Sequence, residues 1–179
     1  MTRTDDITVG KLLLAEYDRV KDEQKTRIGF RDNLLYVTLA AVITVLIGAA
    51  QTHQATVLLA LPAATSILGW TYLVNDQKIS AIGRYVRADL GPRLAAMAGE
   101  QENLFGWETA HRSDGYRKQR KIIQCVVDLA AFTAVPLAAL IAFWINGSGR
   151  GLPITCSVLE TVAVVALATQ IVLYLDTTA

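Results

Sequence analysis

The chain has 179 residues, of which 53% are hydrophobic and 18% are charged. Soluble chains carry about 25% charged residues, so this composition excludes an ordinary soluble domain. It also excludes disorder, which requires low hydrophobicity and high net charge. Two cysteines exclude a disulfide scaffold. Seventeen basic and sixteen acidic residues nearly cancel, which indicates no nucleic-acid partner.

Four stretches contain almost no ionisable side chains: residues 34–50, 55–74, 122–145 and 154–175. Each approaches or reaches the roughly 17–25 apolar residues that a helix needs to cross a bilayer. The sequence therefore predicts an all-α fold, an integral membrane bundle of four transmembrane helices with cytoplasmic helical extensions. The expected segments are a cytoplasmic helix (1–33), a transmembrane hairpin (34–75), a cytoplasmic helical linker (76–121) and a second hairpin (122–175).

The basic residues orient these spans. Sixteen of the seventeen lie before span one or between spans two and three, whereas the short links carry only Arg150. By the positive-inside rule these basic segments are cytoplasmic. We expect a multi-pass protein of the cytoplasmic (inner) membrane with both termini in the cytoplasm. So little chain is displayed outside that an extracellular receptor is excluded.

The first cytoplasmic segment, residues 11–33, has the charge spacing of a helix, with pairs such as Glu16–Arg19 and Glu23–Arg27. No proline separates it from span one, so it could run unbroken into the membrane. Its leucines either pack on the other cytoplasmic segment or form an oligomerisation helix. The heptad pattern is not sustained, which favours the first alternative.

An amphipathic stripe follows span two, formed by Ile79, Ile82, Val86 and Leu90. It predicts a helix that ends at Gly91-Pro92 and either continues span two or turns along the membrane surface. Its arginines and the basic run before span three predict anchoring to lipid headgroups. The anchoring residues are Arg84, Arg87, Arg117, Lys118, Arg120 and Lys121. An aromatic belt is expected from Tyr36, Trp70, Tyr72, Trp144 and Tyr174.

Asp128 and Glu160 are the acids within the spans, where ionisable groups are costly and functional by default. Each lies about 9 Å from opposite ends of its span, so they differ in depth by roughly 12 Å and cannot pair within one subunit. In an oligomer each acid could form a ring, as in cation-selective pores. Otherwise Asp128 bonds the basic run or a hydroxyl, and Glu160 is protonated beside Gln170 or threonines, or faces external water.

Further intramembrane polar candidates are Gln124 and Gln170, together with hydroxyl residues that usually bond their own helix. Pro62 and Pro136 are expected to kink spans two and three. The two histidines fall on opposite sides of the membrane, which excludes a histidine-based metal site. No nucleotide-binding or nucleophile motif occurs. We therefore expect no metal, no cofactor and no enzyme.

A family resemblance adds to this interpretation. LLLAEYDRVKDEQKTRIGFRDNLLY (Leu12–Tyr36) and GWTYLVNDQKISAIGRYV (Gly69–Val86) place a charged helix before a two-span hairpin and another helix after it. Over about half the chain this order resembles small bacterial conflict-system membrane effectors, the SLATT-like and TRADD-associated two-span families. The resemblance implies an oligomeric antiviral defence effector that forms a pore or disrupts the membrane when a cytoplasmic sensor protein detects infection.

Three functions follow as hypotheses. The first is a homo-oligomeric ion channel or membrane-disrupting pore. The second is a membrane anchor or scaffold that recruits a cytoplasmic partner through residues 11–33 and 77–121. The third is a small proton-coupled transporter that uses the two acids. The lipid bilayer is a partner in all three.

Overall fold

A computed structural model describes residues 8–99, 116–147 and 151–174, and these residues form helices joined by short turns. The first helix, α1, spans Val9–Thr52. It begins at Thr8, whose Oγ1 accepts a hydrogen bond from the Lys11 amide, and ends at His53, which has a left-handed backbone. At 1.5 Å per residue its 44 residues extend about 66 Å. The expected unbroken passage from charged segment into span one is confirmed.

A 3₁₀ turn at Ala55–Leu59 leads into α2, Ala60–Tyr85. Pro62 lies in the first turn of α2, where backbone N–H groups have no partner within the helix. It therefore removes no interior hydrogen bond of α2, and the expected ground for a kink of span two at Pro62, the loss of such a bond, is wrong.

The predicted stop at Gly91-Pro92 is also wrong. A π turn at Val86–Leu90 follows α2 directly, and α3 continues over Gly91–Ala98. The amide of Gly91 bonds the carbonyl of Val86 across this wider turn. Pro92 then falls in the first turn of α3, where it needs no N–H donor. The helix ends instead at Gly99, whose φ of 74° suits glycine.

The helices α1 and α2 pack as a long antiparallel hairpin, and the first alternative for the leucines of its extension, packing onto the other segment, is observed. Leu13 of α1 contacts Leu90 and Leu94. We call residues 9–33 and 75–98 together the hairpin extension. The buried and half-buried residues of α1 recur every three or four positions along the whole helix. They include Leu13, Tyr17, Val20, Gln24, Arg27, Arg31, Leu34, Thr38, Ala41, Val45 and Gly48.

The second hairpin begins with α4, Arg117–Leu129, and passes through a π turn at Ala130–Ala134 into α5, Val135–Asn146. The last helix, α6, spans Leu152–Leu173. Pro136 lies at the start of α5, so the π turn before it absorbs the hydrogen bond that this proline cannot make. Departure from α geometry at Pro136 is therefore confirmed.

The hairpins meet around Phe132, which is fully buried and clusters with Tyr72 and Leu167. Gly69 admits this ring, because a Cβ there would lie 2.9 Å from Phe132 Cδ1. The outer faces stay apolar and exposed: Ile67 is 70% exposed and Leu159 66%. Four helical stretches are long and apolar enough to cross a membrane: Val9–Thr52, Ala55–Ala98, Lys118–Asn146 and Leu152–Leu173. The chain is a multi-pass membrane protein.

Candidate functional site

A polar cluster lies where the hairpin extension enters the bundle, the end that we call the basic end. Its first members come in pairs one helical turn apart. Tyr72 and Asp76 share a face of α2, and Gln124 and Asp128 share a face of α4, because residues four apart in a helix are neighbours. The packing of the two helices brings these pairs together around one cavity. We call Tyr72, Gln124 and Asp128 the Asp128 cluster.

The Tyr72 hydroxyl is the centre of this cluster. It accepts a hydrogen bond from Gln124 Nε2 at 3.3 Å and lies beside Asp128 in the wall of the same cavity. The ring is 3% exposed and packs against Phe132, with ring centroids 5.1 Å apart. The prediction that Tyr72 belongs to an aromatic belt is therefore wrong, since its side chain faces the protein interior. Both expected kinds of neighbour for Asp128, a hydroxyl group and a residue of the basic run, line this cavity as Tyr72 and Lys121.

An ion pair adjoins the cluster. Arg31 Nη1 of α1 lies 2.9 Å from Asp76 Oδ1 of α2, and both side chains are about three-quarters buried. Arg31 also contacts Asp32 at 3.1 Å. Burial of Arg31 opposes its charge, but the hydrogen bond and charge of Asp76, with the Asp32 contact, outweigh it and raise the guanidinium pKa above its ordinary value.

The contact between α1 and α2, which we call the hairpin seam, stays polar from this ion pair outward into the hairpin extension. Asn75 is 5% exposed; its Nδ2 donates to the Arg27 carbonyl at 2.9 Å, and its Oδ1 accepts from Arg27 Nη1. One turn further out, Gln24 Nε2 donates to the Ile79 carbonyl. The middle of the hairpin seam is thus polar, and its two ends are apolar. In this middle part α1 and α2 are joined by hydrogen bonds and an ion pair.

The cluster surrounds a cavity of about 30 Å³ that is closed on the far side by Ile171 and Tyr174 of α6. This volume is close to that of one water molecule. Lys121 lines the same cavity, which places a cation beside the buried acid. Asp128 Oδ1 has no hydrogen-bond partner among the described residues.

Three further buried oxygens lie deeper in the bundle: Ser66 Oγ of α2, Thr133 Oγ1 of the second π turn and Glu160 Oε2 of α6. Within the described parts of the chain none has a hydrogen-bond partner. Buried polar groups in proteins are nearly always satisfied, and in a bilayer an unsatisfied group costs several kcal/mol. A buried oxygen without a protein partner is available to bind a water molecule or a cation.

The structure separates the predicted intramembrane candidates into two levels. Asp128 and Gln124 come together, and Gln170 neighbours Ile171 in the cavity wall. Glu160 lies eleven residues before Ile171, about 16 Å along α6. Gln170 is ten residues from Glu160 and cannot be its partner within one chain. The sequence-based conclusion that the two acids do not pair agrees with this placement.

Sequence reasoning missed Arg31, Asp76 and Tyr72 as members of the site. The signal that could have found them is spacing: Tyr72–Asp76 and Gln124–Asp128 are both i, i+4 pairs at the same end of neighbouring spans. The predicted headgroup anchors differ in exposure. Arg84, Lys118 and Arg120 are exposed, and Arg87 and Lys121 are half-buried. The side chain of Arg117 lies outside the described residues.

Among the described residues, no group of three histidine, cysteine or acidic side chains could hold a metal ion. Cys125 and Cys156 are both free. Comparison of the chain with protein families, curated proteins and solved structures gives no match. The function must therefore be argued from the chain's own residues.

Proposed function

We propose that this chain assembles into a homo-oligomeric, cation-conducting pore of the cytoplasmic membrane, with the basic end in the cytoplasm. The observation that carries the proposal is the set of four buried oxygens with no hydrogen-bond partner in the described segments: Asp128 Oδ1, Ser66 Oγ, Thr133 Oγ1 and Glu160 Oε2. They come from three different helices and lie inside the bundle.

These oxygens occupy successive depths. Measured along each helix from the span boundary at the basic end, Asp128 lies about 9 Å deep, Ser66 about 12 Å, Thr133 about 16 Å and Glu160 about 22 Å. The steps between them are about 3–6 Å, in a hydrocarbon core about 30 Å thick. Acceptors at such intervals, with an acid near each end, suit the stepwise transfer of a hydrated cation.

Assembly is part of the proposal because one copy is closed. Phe132 and Val164 are fully buried, so apolar side chains fill the interior at the levels between the two acids. Phe143 and Leu140, each 2% exposed, fill it beyond Glu160. In the described part of a single copy, the cavity beside Asp128 has a volume of about 30 Å³. In this proposal several copies assemble, and their helices rearrange so that the acids, which are buried in one copy, line a shared axis.

The decisive experiment is cation flux through liposomes that contain the purified full chain. We expect flux for the wild type, with reversal potentials that favour K⁺ over Cl⁻, and reduced cation preference for Asp128→Asn and Glu160→Gln. The matched control is Asp18→Asn, which removes the same charge from an exposed position of the hairpin extension. Liposomes with inserted chain but no flux at any density, or equal flux in all variants, would overturn the proposal.

In this proposal the hairpin extension controls the opening of the pore. Its polar seam, from Gln24 to the Arg31–Asp76 pair, is continuous with the wall of the Asp128 cavity, so a displaced extension would disturb the site. This arrangement supports an effector triggered by a cytoplasmic sensor, as the resemblance to conflict-system proteins implies. Membrane depolarisation in cells that express the chain, and its loss in Asp128→Asn, is the expected readout.

A second candidate, a scaffold that recruits a cytoplasmic partner, is favoured by one observation. Val9, Leu12 and Leu14 of the hairpin extension are 53–60% exposed although they lie beyond the spans. Capture of a stable partner by the wild type, unaffected by Asp128→Asn but lost in Leu12→Ser, would favour the scaffold. Conduction by the purified chain alone would favour the pore.

A further inference from the structure

A second cavity, of about 560 Å³, opens on the surface beside the Asp128 cluster. Its walls come from three segments that are distant in sequence: the last turns of α2, the first turns of α4 and the last turn of α6. Lys78 and Arg84 contribute from α2, Lys121 from α4 and Tyr174 from α6.

The charge of this cavity is strongly one-sided. Lys78, Arg84 and Lys121 form no salt bridge with any residue of the described segments, whereas the one acid in the wall, Asp76, is already paired with Arg31. Three cations thus converge on this cavity, and of the three Lys121 also lies near a second acid, Asp128. Convergence of unpaired cations in a concave site is the usual arrangement for an anion, and a phosphate in particular.

The position of the cavity identifies the source of that anion. Leu73 and Leu173 form its apolar wall at the ends of their spans, while Lys78, Ser80 and Arg84 form the polar wall beyond them. The site therefore crosses the level at which phospholipid headgroups meet acyl chains. Basic pockets between transmembrane helices at this level bind anionic headgroups.

We propose that this cavity is a specific binding site for the phosphate of an anionic phospholipid, held by Lys78, Arg84 and Lys121. The proposal goes beyond the pore and does not depend on it. Lys121 also lines the cavity of Asp128, so a phosphate that binds Lys121 draws that cation away from the buried acid. Lipid composition thereby regulates the site of Asp128.

The test is native mass spectrometry of the purified full chain titrated with phosphatidylglycerol or with phosphatidylcholine. We expect phosphatidylglycerol to bind more tightly. At roughly fivefold per basic residue, the triple variant K78Q/R84Q/K121Q should bind it about 100-fold more weakly. The matched control is K11Q/R19Q/K25Q, which removes the same charge from exposed positions of α1 and should retain wild-type affinity.

Folding does not obscure the result, because Arg84 is exposed and the single variant Arg84→Gln should still weaken binding about fivefold. A competition arm with inorganic phosphate separates the sources of the anion. Phosphate that displaces phosphatidylglycerol at equal concentration would make this a site for a soluble anion and overturn the lipid assignment. Unchanged affinity in the triple variant, or equal loss in the control, would overturn it as well. Because conduction is not measured, failure here leaves the pore proposal standing, and failure of the pore leaves this result standing.

Discussion

Gln124 of α4 donates a hydrogen bond to the hydroxyl oxygen of Tyr72 on α2, with 3.3 Å between Nε2 and the oxygen. This bond joins the first hairpin to the second where both leave the bundle. Tyr72 also lines the cavity beside Asp128, so one phenol group adjoins both the amide and the acid of α4. The two hairpins are therefore connected by a polar contact as well as by the packing of Phe132.

The first prediction concerns that hydroxyl. Tyr72→Phe keeps the ring that packs on Phe132 but leaves the Gln124 amide without its partner, so it should lower the free energy of unfolding by about 1–3 kcal/mol. Thermal unfolding in detergent, followed by circular dichroism, measures the change. The control Tyr36→Phe removes a hydroxyl from a side chain that is 71% exposed and should change stability by less than about 0.5 kcal/mol. Equal effects of the two substitutions would contradict the assigned role of Tyr72.

The second prediction concerns the Arg31–Asp76 ion pair. A double-mutant cycle with Arg31→Gln and Asp76→Asn should give a coupling energy of about 1–3 kcal/mol, because both side chains are about three-quarters buried. The matched cycle uses Arg93→Gln and Asp89→Asn, an i, i+4 pair whose side chains are about half exposed. It should give about 0.3–0.5 kcal/mol. A coupling energy no larger for Arg31–Asp76 than for Arg93–Asp89 would contradict the structure.

The third prediction is a pH dependence at the far end of the hairpin extension. The Tyr85 hydroxyl donates a hydrogen bond to the Glu16 carboxylate, and this bond, with a smaller contribution from burial and the charge of Glu16, raises the pKa of Tyr85. The ordinary tyrosine pKa is about 10. Stability from a group whose folded pKa is raised is fully present below the unfolded value and is lost as pH rises through the folded one.

The wild type should therefore be more stable than Tyr85→Phe at pH 8, and the difference should close as the pH rises above about 10. Unfolding midpoints measured across this range test the expectation. Glu16→Gln removes the carboxylate that raises the pKa of Tyr85. The pH at which the stability difference disappears should therefore be lower in this background. A difference between wild type and Tyr85→Phe that is constant up to pH 12 would assign the stability to packing of the ring instead.

The spans and the unbroken first helix could be predicted because both depend on properties that are local in sequence. Apolar runs of bilayer length give the spans, and the absence of proline before residue 34 gives the continuity. The heptad seam of α1 could not be recognised, because its central positions hold Gln24, Arg27 and Arg31. A pattern based on apolar residues does not count these positions, although their partners Ile79, Asn75 and Asp76 bury them.

The two π turns account for another part that sequence rules missed. Gly91-Pro92 has the sequence of a helix end, yet the wider turn at Val86–Leu90 carries the helix past it. In the candidate site, Asp128 and Gln124 could be predicted because ionisable and amide groups stand out in apolar spans. Tyr72 could not be predicted, since an aromatic residue near a span end is equally typical of the membrane–water interface. Its buried orientation is set by tertiary packing on Phe132.

The fourth prediction compares two glycines. A Cβ at Gly69 would lie 2.6 Å from Leu167 Cδ2 and 2.9 Å from Phe132 Cδ1, whereas a Cβ at Gly29 would meet nothing within 4 Å. Gly69→Ala should therefore destabilise the bundle by about 1–3 kcal/mol through overpacking. Gly29→Ala, in the interior of α1, should stabilise it by about 0.5–1 kcal/mol, because alanine favours helix. Thermal unfolding of both variants gives the comparison.

A second substitution identifies the cause of the Gly69 effect. Leu167 makes the closer contact with the added Cβ, and its side chain is flexible, whereas Phe132 is fully buried in the centre of the core. Leu167→Val should therefore restore part of the stability lost in Gly69→Ala, although Leu167→Val alone is destabilising because it removes a buried methylene. If the double variant loses as much stability as the two single variants together, the alanine at position 69 does not clash with Leu167. The packing of the two hairpins at this point would then have to be revised.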